Sequence, residues 1–407
     1  MVLILFEVYL VLAVLTAISF IYFLINAVIS WKYSKSQEKI EVSSSEITIL
    51  LPVYNEDPLI FEECMKGAEL QNCPIIVVGD SCDQPYRKIA ESHGAHFILK
   101  EEREGQKKAI QRGIREVDTK YTLLIDSDTV LPEGSAIAMA SNFRSDVGGV
   151  GPNLVVENTG TPQAYGAEFL ERSREVVYRA MSVHNSVIHL DGACIMYRTS
   201  IIKPFIIDGD FTTLKVAGKN TMMGEDWQLA LHTISKGYKL VKDYDVHVVT
   251  HPQKSMKKFL LQNIRWSRSE WIRFFREIKS GNPWRTGKFY TFELVYTYML
   301  PLIALALLLI RVYAFFSSLS GPEFLLDIFR GVFLLNRHEL ASILYGKITF
   351  GMGSDIGTVV FLGTVVTNIK KERLKTMGYG ALASGILFLT MIYGLITFWK
   401  TTKWLTR

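Results

Sequence analysis

Asp126-Ser127-Asp128 closes an apolar run, Tyr121-Thr122-Leu123-Leu124-Ile125, that reads as a buried strand. Carboxylates at i and i+2 on a strand point the same way. At the carboxyl end of a strand they sit where open α/β sheets bind ligands. Such a pair suits a hard divalent cation, which takes carboxylate oxygens and completes its shell with water and substrate phosphate. An acidic turn capping a strand has the same composition, so the pair alone decides nothing. Two further constellations follow: Gly224-Glu225-Asp226, and Gln262-Asn263-Ile264-Arg265-Trp266. A positioned carboxylate can take the proton of an attacking hydroxyl. Acids at the start of a helix predicted from Trp227 to Ile234 also complement its N-terminus, and both roles can hold at once.

The elements that must position these residues alternate. Ile47–Val53 reads as a buried strand with Tyr54-Asn55-Glu56-Asp57 as its polar C-terminal loop, and Pro58–Leu70 has helical spacing. A strand at Ile75–Val78 ends in Gly79-Asp80; Tyr86–His93 is a short helix, His96–Leu99 a strand and Gly105–Val117 a basic helix. This order predicts an α/β fold with a doubly wound, mainly parallel, Rossmann-like sheet. No Gly-x-Gly-x-x-Gly opens the first helix, which disfavours a dehydrogenase-type dinucleotide fold. From Gly148 to His251 the pattern is less regular, with a long polar helix over Gln163–Val183. His247 and His251 flank Val248-Val249 in a strand-like run and read as structural. Cys64, Cys73, Cys82 and Cys194 make no Cys-x-x-Cys pair, which argues against a zinc or redox site.

The chain has 407 residues, 49% of them apolar, and a net charge of +5. Its apolar residues concentrate at the two ends. Val8–Ile29 is uncharged and long enough to span a bilayer, and Lys32, Lys35 and Lys39 after it put the next domain in the cytosol. Lys254–Lys279 carries eight Lys or Arg against two Glu, with Met256, Phe259, Leu260, Ile264, Trp271, Ile272, Phe275 and Ile278 as apolar anchors. It reads as an amphipathic helix on an anionic membrane surface. Leu294–Ile310, Ile348–Ile369 and Met377–Trp399 read as spans, and Glu323–Lys347, which carries Asp327, Arg330, Arg337, His338 and Glu339 between its charged ends, as interfacial or protein-buried, or as a fifth span. The modest positive charge fits a membrane surface and does not call for nucleic acid.

Leu51-Pro52-Val53-Tyr54-Asn55-Glu56, Asp126-Ser127-Asp128, Gly224-Glu225-Asp226 and Gln262-Asn263-Ile264-Arg265-Trp266, in that order, resemble the signature of membrane-embedded family 2 glycosyltransferases, with hyaluronan and chitin synthases and rhizobial chitooligosaccharide synthases as the nearest likenesses. Val147-Gly148-Gly149-Val150-Gly151 and Met196-Tyr197-Arg198 add to it, and it covers roughly residues 47–300. The resemblance implies a cytosolic GT-A domain, an inverting mechanism, a UDP-sugar donor and Mg2+ or Mn2+. It divides the chain into an N-terminal transmembrane helix (1–31), a linker (32–46), the GT-A domain (47–253), amphipathic interface helices (254–290) and a C-terminal transmembrane region (291–407).

Asp128 then carries the metal and Asp126 contacts the nucleotide. Pro52, Tyr54, Glu56, Asp80, Lys107, Gln262 and Arg265 complete the nucleotide-sugar site, with Glu56 and Asp80 toward base and ribose. Gly105-Gln106-Lys107-Lys108 resembles the family's Gly-Lys-Arg segment, with Gln106 where Lys is usual. Asp226 is the expected general base, with Trp266, Glu225, Asp191 and Met196 on the acceptor side. Asp191–Arg198 diverges from the family's acceptor segment, which weakens hyaluronan as the product. Trp404, Thr406 and Arg407 resemble a family tail that reaches the active site, which requires the last apolar stretch not to cross fully or Glu323–Lys347 to cross as well. The function expected is a processive polysaccharide synthase of the plasma membrane that exports its product. The alternative is single transfer to a membrane lipid, as in ceramide glucosyltransferases. The partners are a UDP-sugar, a growing glycan or lipid acceptor, and membrane lipids.

Overall fold

The run Ile47–Val53 suits a strand buried on both faces, since parallel sheets covered by helices need near-continuous apolar strands. It forms β1 (Ile47–Val53), flanked by β2 (Ile75–Asp80) and β4 (Tyr121–Ile125), both parallel to it. A computed structural model describes residues 2–33, 39–184, 186–209, 211–221, 223–319 and 357–401. Its main sheet has eight strands in the order β3-β2-β1-β4-β7-β6-β10-β5. The remaining strands are β3 (His96–Lys100), β5 (Thr129–Val130), β6 (Val147–Val156), β7 (Cys194–Arg198) and β10 (Lys239–Thr250). β3, β2, β1 and β4 form a parallel half, and β6 pairs parallel with β10. The sheet is more mixed than expected: β7 runs antiparallel between β4 and β6, and β5 antiparallel to β10. A two-stranded hairpin, β8 (Lys215–Val216) with β9 (Lys219–Asn220), stands apart.

The chain winds from β1 outward through α2 (Pro58–Glu69), β2, α3 (Tyr86–Ser92) and β3, then returns through α4 (Gln106–Ile114) to β4 on the other side of β1. The β1/β4 boundary is therefore the switch point, where the carboxyl ends of two strands open a ligand crevice. Asp57 caps α2 by accepting from Leu59 N at 3.1 Å. Two cores hold the sheet. One gathers Ile49, Leu51, Val53, Phe61, Met65, Val77 and Leu123. The other gathers Leu50, Val78, Ile110, Ile195, Tyr197 and Leu229, and runs on to Trp271, Tyr290, Leu294 and Tyr298.

The helices around this body are α5 (Ser135–Ala140), α6 (Pro162–Val183), α7 (Thr199–Ile207), α8 (Glu225–Ser235), α9 (Met256–Ser280) and α10 (Asn282–Thr286). The apolar ends form α1 (Val2–Ser30), α11 (Lys288–Leu319), α12 (Gly357–Asn368) and α13 (Arg373–Leu395). Lys288–Ala306 and Arg373–Leu395 are each long and apolar enough to cross a membrane; Ala17–Ser30 and Gly357–Asn368 are shorter apolar helices. α1 pairs with α11 through Asn26 Nδ2, which donates to Glu293 Oε1 at 2.7 Å, and through Tyr22 stacked on Tyr296. Glu323–Lys347, the first part of Ile348–Ile369, and Trp404, Thr406 and Arg407 lie outside the described residues.

One expectation is corrected. The apolar anchors of α9 do not all face outward. Phe259, Trp271 and Ile272 are buried inside the protein, whereas Leu260 and Phe275 are exposed. The reason is α13, which covers α9: Trp271 Nε1 donates to Met391 O at 2.8 Å, and Ser267 and Thr390 share a hydrogen bond of 3.2 Å. A Cβ on Gly394 would lie 2.8 Å from Ser267 Cβ, so the two helices meet where no side chain separates them.

Candidate active site

Pro52 at the end of β1, Leu124 and Ile125 at the end of β4, Asp126, Gln106, Gly192, Glu225 and Asp226 line one cleft. Its floor is apolar, from Ile110, Ile195 and Leu229. Asp126-Ser127-Asp128 is a turn between β4 and β5, not a strand end: Thr129 N donates to Asp126 O at 3.1 Å. The turn is fastened from two sides. Ser127 Oγ donates to Glu56 Oε2 at 3.2 Å, and Gln106 Nε2 donates to Asp126 Oδ1 at 2.8 Å. Glu56 thereby ties the β1 loop to the acidic turn, and its carbonyl accepts from Tyr86 OH at 2.5 Å.

Asp80 is buried with its carboxylate occupied. It accepts from Lys100 Nζ at 2.8 Å, Glu104 N at 3.0 Å and Gly105 N at 2.8 Å. It therefore shapes the loop that launches α4, a role that leaves it little capacity for a ribose. Arg103 of that loop lies over the Tyr54 ring, 4.0 Å from its centre. Gln106 and Lys107 part ways at the start of α4. Gln106 turns to Asp126, while Lys107 is buried, with Nζ 3.5 Å from Thr221 O and facing the Phe211 ring. Burial lowers the Lys107 ammonium to about 8, against the pull of Glu225 and Asp226. The contact made by Gln106 was missed from sequence, where it stood only as a departure from the usual Lys. Its place at the first turn of α4, facing a switch point, was the available signal.

Asp226 sits in the first turn of α8 beside Gly192; a Cβ on that glycine would lie 3.6 Å from Asp226 Oδ2. Gly224 caps α8 with φ +87°, and Trp227 packs its indole against Gly224 so closely that a Cβ there would lie 2.1 Å from Nε1. Only glycine serves both demands. Trp227 N donates to Asp226 Oδ1 at 2.7 Å, and Trp227 Nε1 donates to Ser269 Oγ on α9 at 3.0 Å. Burial raises the Asp226 carboxyl to about 7, helped by the negative charges of Glu225 and Glu270. A carboxyl poised near neutrality can accept a proton from a hydroxyl and release it again.

α9 carries Gln262 and Arg265, both partly buried, and Trp266, 37% exposed. Arg273 lies two turns on, paired with Glu270 at 2.8 Å and hydrogen-bonded to Tyr298 OH and His189 Nδ1. Two residues expected near an acceptor are placed elsewhere. Met196 is wholly buried in the core below β7. Asp191 is buried and bridges Arg174, at 2.6 Å, and Lys242; its charge is consumed before any ligand arrives. His247 bonds to Asn153 and Lys370, and His251 to Glu157 and Glu63, so the two act separately and structurally. Among the described residues no group of three His, Cys, Asp or Glu can hold an ion by itself.

The glycosyl transferase family 2 model matches residues 48–205. An N-acetylglucosaminyltransferase of Azorhizobium caulinodans is 25% identical over 322 residues, covering 73% of this chain and 77% of that protein. One of Rhizobium meliloti is 26% identical over 242 residues, covering 55% of each. Among solved structures, a mannosyltransferase from Pyrobaculum calidifontis, in complex with GDP-Man and Mn2+, is similar with a TM-score of 0.55 and 18% identity, covering 89% of this chain and 100% of that one. The α/β body has a GT-A-like fold, its residues 48–205 are similar to family 2 glycosyl transferases, and the protein is a glycosyltransferase.

Proposed function

We propose that this protein is an inverting, UDP-sugar-dependent hexosyltransferase that extends a glycan processively and exports it, anchored in the plasma membrane with its active site in the cytosol. The observation that carries the reading is one cleft at the β1/β4 switch point with Asp126 on one wall and Asp226, poised near neutrality, on the other. The relatives named N-acetylglucosaminyltransferases make UDP-N-acetylglucosamine the first donor to test.

The donor set fits a hard divalent cation. It offers oxygens only, from Asp126 and Asp128, and such ions take one or two carboxylates with substrate phosphates and water. The structural neighbour's Mn2+ and GDP-Man support the same class of cofactor. When bound, Mg2+ or Mn2+ on Asp128 would neutralise the diphosphate. Gln106 holds Asp126 in place for the nucleotide. Arg265 and Gln262 donate to the phosphates, which stabilises the charge that develops as the diphosphate leaves. Trp266 offers a face on which an acceptor sugar ring stacks. Asp226 takes the proton of the acceptor hydroxyl. That oxygen forms its bond to the anomeric carbon from the face opposite the departing UDP, the carbon–phosphate-oxygen bond breaks, and the configuration inverts.

The test is incubation of membranes with a panel of UDP-sugars, counting UDP released and sizing the product. A ladder of polymer that depends on one or two donors supports the reading. A single glycolipid replaces it with transfer to a lipid. No UDP release with any donor sinks both.

A further inference from the structure

We infer that Asp191 is a positioning residue for the transfer, holding the turn that spaces Asp126 from Asp226 across the cleft. This rests on the function proposed above. Cys194 N donates to Asp191 O at 3.3 Å and closes a turn whose corner residues are Gly192 and Ala193. Each corner residue meets one wall of the cleft. Asp126 N donates to Ala193 O at 3.0 Å. Gly192 lines the cleft, and a Cβ on it would lie 3.4 Å from Asp226 Cβ. One short turn thus stands between the two carboxylate-bearing walls and touches both.

An aspartate at the first position of a turn ordinarily accepts from a backbone N–H two residues on. Among the described residues Asp191 makes no such bond; each of its oxygens goes to a cation on another element. Oδ1 accepts from Arg174 Nη1 of α6 at 2.6 Å, and Oδ2 from Lys242 Nζ of β10. Asp191 and Lys242 are both buried. Burial works against the carboxylate's charge, but Lys242 and Arg174 outweigh it and hold the group well below the ordinary carboxylate range. The bridge is therefore ionic near neutral pH.

The strand that follows does not need this bridge. β7 pairs with β4 along its whole length, from Cys194 opposite Ile125 to Arg198 opposite Tyr121, and with β6 at Met196 and Tyr197. The turn lies beyond the last pair of that ladder, and the bridge fastens its first residue. Buried ion pairs are weak sources of net stability, because desolvation offsets their attraction, and their best-attested use is to specify one geometry. Here the pair draws the Asp191 end of the turn toward α6 and β10 and leaves the glycine corner against Asp226. Gln106 holds the Asp126 carboxylate independently. A loosened turn should therefore disturb the alignment of acceptor and base more than the binding of the donor. Misplacement by about 1 Å is enough to cost about a hundredfold in rate.

The test compares the full-length parent with Asp191→Asn and with the double variant Asp191→Asn/Lys242→Met. The double variant removes the cation that the single change strands in the interior, and Arg174 keeps Glu171 at 3.1 Å. Thermal unfolding in detergent is read for each, with kcat and donor KM from UDP release, UDP-N-acetylglucosamine being the first donor. The double variant is expected to melt near the parent and to keep its donor KM, with kcat lower by about ten- to a hundredfold. A folded double variant with parental kcat overturns the proposal and leaves the glycosyltransferase reading intact. A parallel loss of donor affinity also overturns it, because the effect then lies on the donor side. So does a double variant that fails to fold, which makes the bridge a stability element. No UDP release from the parent with any donor sinks the functional reading, and the proposal with it.

Discussion

Replacing Asp226 by Asn tests the catalytic reading and its electrostatics together. If Asp226 is the base, the amide cannot take a proton, and turnover falls by roughly 10²- to 10⁴-fold. The same substitution should stabilise the fold. Burial, with Glu225 and Glu270 adding repulsion, raises the carboxyl from 3.8 to about 7. A group whose proton affinity is higher in the folded state favours folding when protonated. That contribution is complete below the ordinary carboxylate range and is lost as pH rises through about 7. The variant and the parent should therefore melt together near pH 3.5. Above pH 7 the variant should be the more stable, by at most about 4 kcal/mol. In the parent, kcat/KM should fall about tenfold per pH unit below 7, because the base works ionised, and Glu270→Gln should move that limb to lower pH. The assays are UDP release across pH 5 to 9 and thermal unfolding in detergent. A variant that keeps near-parental turnover, or a parent whose acid limb lies near 4, would refute the assignment of Asp226 as a base tuned by burial.

Further outcomes are expected at other positions. Asp128→Asn should abolish transfer in a folded protein, and excess EDTA should silence the parent; full activity in either condition would remove the metal from Asp128. Gln106→Ala frees the Asp126 carboxylate from a charged hydrogen bond worth about 1.5–3 kcal/mol, so donor KM should rise roughly tenfold or more while acceptor KM holds. For His93, burial lowers the proton affinity, but hydrogen bonds to Glu69 and Glu62 outweigh it and leave it raised. The bridge it makes should therefore stabilise below pH 6.5 and fade as pH rises through the raised value, so His93→Ala should cost roughly 0.2–1 kcal/mol at pH 5.5 and less at pH 9. Deleting Trp404–Arg407 should impair transfer with normal expression; unchanged turnover and donor affinity would make that segment a plain anchor.

The parallel half of the sheet was readable because its strands are uninterrupted apolar runs between polar turns. Ile47–Val53 and Ile75–Val78 carry that pattern, and the helices between them keep a clear period. The antiparallel β7 was not readable. Its run, Cys194–Arg198, is as apolar as the others, and direction is set by which neighbour it meets, Leu124 across from Ile195, not by local composition. The acidic motifs were legible as residues but not as geometry. Asp126 and Asp128 were read as a strand pair, whereas the bond from Thr129 N closes a turn. Asp191 was placed on the acceptor side because Asp191–Arg198 stands where the family has its acceptor segment, and its partners are not visible in the sequence around it. Arg174 and Lys242 stand on other elements and arrive only with the fold.

α9 shows why the Gln-x-x-Arg-Trp run extends into Ser267, Arg268 and Ser269. A helix has several faces, and each of these residues answers a different neighbour. Gln262 and Arg265 belong to the donor side of the proposal. Ser269, one turn beyond Arg265, holds the indole of Trp227, whose backbone N–H holds Asp226. Ser267 and Arg268 hold α13. One rigid helix therefore connects the proposed donor-side residues, the candidate base and α13. A shift of α9 along its axis by even an ångström would move all three at once, and misplacement on that scale is enough to cost about a hundredfold in rate. The same logic explains why its apolar anchors could not be read correctly in isolation: Phe259 and Trp271 look like lipid contacts until α13 occupies the place the lipid would have taken.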